Sequence, residues 1–586
     1  MGRTIATILA ALAPALGSPS EADWTARYEV RFGRGENGTP QAEVALTLRW
    51  KGRRGSWPDD VEVAMEDGYG AFVRNAGARV PEGSRAPRDG YRLEVVAAED
   101  GRFRLPVLRD GRAGLRYTVV LEHVPEEMLG YDETPHAFAG GVFWTGRALF
   151  VTHPRSDAEL VLVPPEEEHV STSFEPVDGE DEYRCPSDTL LRRSFLVVSP
   201  RIAEPIELKG STFLVVVDDP IAEEGDLVVA ELRTFLTAAG ELFGGPPPPR
   251  CLVLVESHES EGGGAVVGHD AHVLVTQLPL TESGDQWLSS LCHELFHLWN
   301  PTMVGFDSRE MWYSEGFTDY WTHRLLARSG QISGGRFLEK VRGWASDYLG
   351  QDDERGLRAA GELGSKNRTL IYQGGALAAL CLDVGIRDAS GNKRALDGVM
   401  AALYELCAKA GGEIPVAELE RLLAKHGGRF LAGFLERHVA GNEPLPLEEC
   451  LADAGLVFES VTVSIPERGA AARLIQVPGA TAMGNGILIQ RTSGGKLEPD
   501  DLLIEVAGER IGGWDDLCRA LGGRAPGDEV PVRVRRQGKD KGFDLQLGGH
   551  GEDLPATERH VVRLRPDPKA KKKQRAIRAA LFGELE

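Results

Sequence analysis

His293, Glu294 and His297, in the stretch CHELFHLWN from 292 to 300, set two imidazoles four positions apart with a carboxylate next to the first. At about 100° per residue, a helix brings side chains so spaced to one face, one turn apart, within reach of a single ion. Leu288, Leu291, Leu295 and Leu298 collect on the opposite side, while Gln286, Ser290 and Asn300 share the histidine face. An apolar back and a polar front suit a helix that packs on a core and presents ligands. Glu294 stands beside the ion, where a general base for water is needed. A catalytic zinc takes three protein ligands and keeps one position open. MWYSEGFTDYW, 311 to 321, offers Glu315 as the third, 18 positions after His297, with Glu310 as the alternative. Asp319, one turn beyond Glu315, is placed to accept the free N–H of a ligating histidine. One zinc per chain is the expected cofactor.

These motifs, HELFHLWN and WYSEGFTDYW, resemble those of the glycyl aminopeptidase family, gluzincin zinc metallopeptidases with a C-terminal PDZ domain. The run YQGGALAALCLDVGIRDASGNKRALDGVM, 372 to 400, is similar to a later stretch of the same family. The resemblance extends over about 205 to 550, with a weaker match before it. It implies that His293, His297 and Glu315 bind zinc, that Glu294 is the base, and that Tyr372 hydrogen-bonds the oxyanion. A positioned O–H there would stabilise charge developing on the carbonyl oxygen.

Two positions depart from the family pattern. Gly374 stands where a lysine is usual, and the stretch GGGAVVGHDAH has no glutamate after its glycines. In related aminopeptidases that glutamate binds the substrate's free amine; Glu261 and Asp270 flank the gap here. His269 and His272 read as solvent-facing loop residues, not as a second metal site.

A multidomain chain must position these groups. The 586 residues exceed what one core accommodates, and 42% apolar with 26% charged residues is ordinary globular composition. A net charge of −23 argues against a nucleic-acid partner. Seven scattered cysteines without a Cys-x-x-Cys pair indicate neither a disulfide framework nor a cysteine zinc site. No uninterrupted apolar run is long enough to span a bilayer.

Arg3, the apolar run Ile5 to Leu16, and small residues at Ala15 and Gly17 read as a signal peptide over 1–19, so the chain is expected to be exported. Short strand-like segments then indicate an all-β domain over 20–204. A thermolysin-like α+β catalytic domain is expected over 205–458. The stretch 460–550 resembles a PDZ domain, with Gly484, Asn485 and Gly486 as the loop whose N–H groups would catch a peptide C-terminus. A basic tail, 551–586, closes the chain.

The expected function is a zinc-dependent peptidase of the aminopeptidase kind, acting on peptides or proteins through water activated by Glu294. An endopeptidase or oligopeptidase with the same site, or a non-catalytic peptide-binding scaffold, is the alternative.

Overall fold

A computed structural model describes residues 23–586 apart from 67, 86–93, 98–100, 124–129, 178–180, 259–261, 276–278, 281–284, 309, 352–355, 363–366, 429–430, 432, 483–485, 550–553, 584 and 586. The expected signal peptide, Glu261, Gly484 and Asn485 lie outside the described residues.

The first domain is built from strands, as alternation in the sequence requires. Along Trp24–Arg34 every second residue from Trp24 to Phe32 is buried, so one face is core and the other meets water. This strand lies between Pro40–Trp50 and Ser156–Val163 in a seven-stranded sheet. A four-stranded and a three-stranded sheet complete the domain, and all three share one apolar core.

The catalytic region opens with a five-stranded sheet: β1 (Glu204–Leu208), β2 (Ser211–Val217), β3 (Arg250–Ser257), β4 (Gly263–Val267) and β5 (Asp270–Val275), in the order β1-β2-β3-β5-β4. β2 and β3 run parallel and are joined by helix α1, Gly225–Phe243. Val228, Leu232, Phe235, Leu236, Ala239 and Leu242 supply the buried stripe of α1, and Gly244 at φ 70° ends it ahead of four prolines. Residues alternate across β3. Val253 and Val255 face the helices, while Leu252 and Leu254 face Phe143 and Phe195 of the first domain.

Helix α2, Gln286–Phe296, lies against β4 and β5. Beyond it come α3 (Gly316–Arg328), α4 (Gly334–Leu349) and α5 (Gly375–Ser390). The helical stretch Leu370–Ser390 is long and apolar enough to cross a membrane, yet 89% of its most apolar window is buried within the protein. It is an interior helix.

β6 (Leu456–Pro466) leaves the catalytic region and pairs along its whole length with the returning β12 (Ala556–Pro566). Between them lies a module with its own core, formed by β7 (Gly479–Ala482), β8 (Ile487–Arg491), β9 (Leu502–Val506), helix α6 (Trp514–Ala520), β10 (Glu529–Arg536) and β11 (Lys539–Gln546). The end of the chain, expected as a basic tail, carries β12 and a helix. After β12, helix α7 (Lys572–Phe582) buries Ile577, Leu581 and Phe582 against the catalytic core. Its lysines and arginines conceal an i, i+4 apolar pair when read as bare charge. Arg324 donates to Ala580 O at 2.6 Å, and Phe582 packs 5.2 Å from Phe337.

Candidate active site

α2 carries the two imidazoles as the spacing requires. Leu288, Leu291 and Leu295 are buried behind them. The helix ends at Phe296, and His297 occupies the position that caps it. The Nδ1–H of His293 donates to Asp319 Oδ1 at 2.9 Å, and the Nδ1–H of His297 to the carbonyl of Asn300 at 2.8 Å. Both Nε2 atoms then face the carboxylate of Glu315, 3.4 Å and 3.6 Å from its Oε2. Asn300 is wholly buried, and its amide donates to Thr318 Oγ1 at 3.1 Å, which ties the turn after α2 to α3. The role of the Asn300 carbonyl was not legible in the sequence, because a backbone acceptor has no residue type.

Glycine brings Glu315 and Tyr372 together. A Cβ on Gly316 would lie 2.3 Å from Gly375 Cα, and one on Gly375 would lie 2.2 Å from Trp312 O. Only glycine lets α3 and α5 approach so closely. Tyr372 lies in the π-helical turn Leu370–Gly374 that leads into α5. Its ring is 6.0 Å from that of His293 and nearly parallel to it. Burial, then the charge of Glu315, push its phenol well above the usual range, so it stays an O–H donor. Gly374, the departure from lysine, packs against Leu357 and Tyr348, where a Cβ would already be crowded.

The glycine-rich stretch is an edge strand, β4, and not the loop its composition suggested. A Cβ on Gly264 would come within 2.7 Å of both Glu294 Cγ and His272 O. This glycine keeps space for the base. Glu294 is pushed up by burial, pulled down by His293 and His297, and raised again by Glu315 and Asp132. Asp132 belongs to the first domain, and sequence order gave no signal that its charge would act on Glu294.

Several expectations are corrected. Glu310, the alternative ligand, is paired with Arg358 at 2.9 Å and accepts from Trp312 Nε1 at 2.6 Å, so it is already engaged. Asp270 is fully buried and accepts the N–H groups of Phe195 and Leu252, at 2.7 Å and 2.9 Å, so it does not face substrate. His272 is fully buried, not solvent-facing, and burial of His269 lowers it to about 4. Gly486 belongs to the connection between β7 and β8, where a Cβ would meet Leu502 and Leu503 O at 2.8 Å. β8 pairs with β7 on one edge and β9 on the other, so the strand expected beside a peptide groove has no free edge.

The three donors converging at Glu315 fit a zinc ion. The Nδ1 atoms of the two histidines are committed elsewhere, and the acceptor-rich pocket raises both imidazoles despite the opposing effect of burial, so it favours positive charge. Two ligands across a tetrahedral zinc at about 2.1 Å each stand about 3.4 Å apart, close to the 3.4 Å and 3.6 Å between the imidazole nitrogens and Glu315.

Residues 286–360 match the profile of the M61 glycyl aminopeptidase family. The matched stretch contains helix α2, His297 and Glu315. No curated protein matches the chain. Among solved structures, an aminopeptidase N family protein from Idiomarina loihiensis is similar at 18% identity and a TM-score of 0.64, over 94% of this chain and 100% of its own. An M1 zinc metallopeptidase from Deinococcus radiodurans is similar at 18% identity, over 75% of this chain and 98% of its own, with a TM-score of 0.46. Leukotriene A4 hydrolase from Saccharomyces cerevisiae is similar at 14% identity, over 75% and 73%, also at 0.46. The first of these likenesses covers most of the chain, and it is one of fold.

Proposed function

We propose that this chain is a zinc-dependent peptidase of the aminopeptidase kind, with one zinc held by His293, His297 and Glu315. The observation that carries the reading is the convergence of those three donors beside Glu294, with both Nδ1 atoms already committed. When bound, the zinc supplies Lewis-acid polarisation of the scissile carbonyl and acidifies water at the site. Glu294 takes the proton from that water and returns it to the leaving amine. Tyr372 donates its O–H to the oxygen on which charge develops. Asp319 and the Asn300 carbonyl hold the imidazoles in one tautomer.

An aminopeptidase also needs an anion for the substrate's free amine. Asp132, whose charge already acts on Glu294, supplies it in this reading. The second reading, an endopeptidase with the same centre, is favoured by β4, whose sequence GGAVV carries no carboxylate. Hydrolysis of a peptide pool with free and acetylated N-termini separates the two. Preference for free amines, reduced in Asp132→Asn, supports the first; equal cleavage of both supports the second. No hydrolysis with zinc bound would leave only a scaffold.

The separate cores support domain limits near 204 and 458. The module between β6 and β12 is read as PDZ-like, with β7 as the edge open to a peptide strand. Binding of free-carboxylate but not amidated peptides to the full chain tests that reading. Export rests on Arg3 and the apolar run after it, and N-terminal sequencing of the protein from its native source tests it.

A further inference from the structure

A second histidine–carboxylate cluster lies on the other face of the catalytic sheet. His136, from the strand His136–Phe138 of the first domain, meets Glu256 of β3 and His272 of β5. The three side chains are 4% exposed or less. Glu256 and His272 face the first domain because they share the alternation of Leu252 and Leu254, whose neighbours are Phe143, Phe195 and Val197.

Each ring repeats the arrangement of the catalytic ligands. The Nδ1–H of His136 donates to Thr134 O at 2.6 Å, and that of His272 to Asp132 O at 3.0 Å. Both Nε2 atoms point at one oxygen, Glu256 Oε2, at 3.0 Å and 2.9 Å. The other oxygen of Glu256 accepts from Tyr131 O–H at 2.8 Å. Neutral rings bound in this way direct two lone pairs at a carboxylate oxygen, so something positive belongs among the three atoms. Protonating both rings would set two buried cations side by side, their centroids 5.8 Å apart, with one carboxylate between them. A single cation at the centre places the charge once.

The donor set and its spacing suit a particular class of ion. Cis ligands of a six-coordinate ion with bonds of about 2.1 Å stand about 3.0 Å apart, against about 3.4 Å for tetrahedral zinc. The separations of 2.9 Å and 3.0 Å fit the first value, and the 3.4 Å and 3.6 Å at Glu315 lie nearer the second. We propose that His136, Glu256 and His272 form a second metal site, closed between the two domains, which takes a six-coordinate divalent first-row ion of the manganese, iron or cobalt kind. Water fills the remaining positions. The ion staples the segment Tyr131–His136 to the catalytic sheet and so fixes where Asp132 stands.

The full-length protein, stripped of metal and reloaded with one equivalent of zinc, should be titrated with cobalt(II). One further equivalent should bind, with the weak visible absorption of six-coordinate cobalt. Glu256→Gln should keep the zinc and bind that cobalt at least tenfold more weakly. His136→Gln serves as a second variant should the first fail to fold. Failure of the wild-type protein to bind a second equivalent at neutral or mildly alkaline pH would overturn the proposal and leave the cluster held by protons. Undiminished cobalt in folded Glu256→Gln or His136→Gln would overturn it equally. The readout is metal content, so a protein lacking peptidase activity would still give an answer.

Discussion

Two sets of two histidines and a glutamate stand on opposite sides of one sheet, and their difference is one of spacing and origin. The set at Glu315 has its Nε2 atoms 3.4 Å and 3.6 Å from the carboxylate, opens beside Glu294 and Tyr372, and draws on one stretch of helices. The set at Glu256 is closed to 2.9 Å and 3.0 Å and joins residues 136 positions apart from two domains. Both lock each ring through Nδ1. A shared tautomer lock therefore marks ligand-type histidines in general, whereas donor spacing and a neighbouring base mark the one that does chemistry.

The largest expected effect breaks the pair apart functionally. Glu294→Gln keeps the side-chain volume and removes the base, so turnover should fall on the order of 10² to 10⁴. Zinc content, read by elemental analysis, should not change. Wild-type turnover in that variant would remove Glu294 from the mechanism. The opposite set offers the control: Glu256→Gln should leave zinc in place and turnover far less affected.

Next in size is the lock itself. Asp319→Asn leaves His293 with a weaker, neutral partner, and zinc affinity should drop about 10- to 100-fold. Competition with a chelator measures it. An unchanged affinity would mean that Glu315 and the two rings alone define the centre.

A subtler test uses Gly264, which separates Glu294 from β5. Gly264→Ala places a Cβ within 2.7 Å of Glu294 Cγ and of His272 O, so the base or the strand must shift. Turnover should fall about tenfold or more with zinc retained, since small misplacement of a catalytic group is costly. Full activity would show that the edge strand gives way without moving the base.

The two sets also differ in how far the sequence announces them. The helix at 286–296 and its ligands were legible because four-residue spacing, an apolar back and a nearby carboxylate are local signals. Tyr372 and the glycines of WYSEGF and YQGG came by resemblance, and their reason is contact between α3 and α5, which no periodicity reports. His136, Glu256 and His272 lie on three strands with no fixed spacing, so the sheet must exist before they meet. The same holds for Asp132. α7 was misread for a different reason: its charge outweighed the spacing of Ile577 and Leu581.

The smallest expected effect concerns the seam that holds the second set in place. Asp270, two residues before His272 on β5, accepts N–H groups from Phe195 and Leu252 and so ties the first domain to the sheet. Burial raises it to about 7, although those hydrogen bonds oppose the shift. In the unfolded chain the same carboxyl ionises near its ordinary value of 3.8. Between these values the folded protein holds a proton that the unfolded chain has released, so this contribution to stability shrinks as pH rises from about 4 to about 7 and is level above. The slope is on the order of 1 kcal/mol per pH unit within that window. Asp270→Asn does not titrate, and its amide group can accept only one of the two N–H groups, so it should be less stable throughout, by about 1–3 kcal/mol at neutral pH. The gap between wild type and variant, read by denaturant unfolding at several pH values, should narrow toward pH 7 and then stay constant. A gap independent of pH would mean that Asp270 is ionised in the fold across the whole range, held by its two N–H donors and not neutralised by burial.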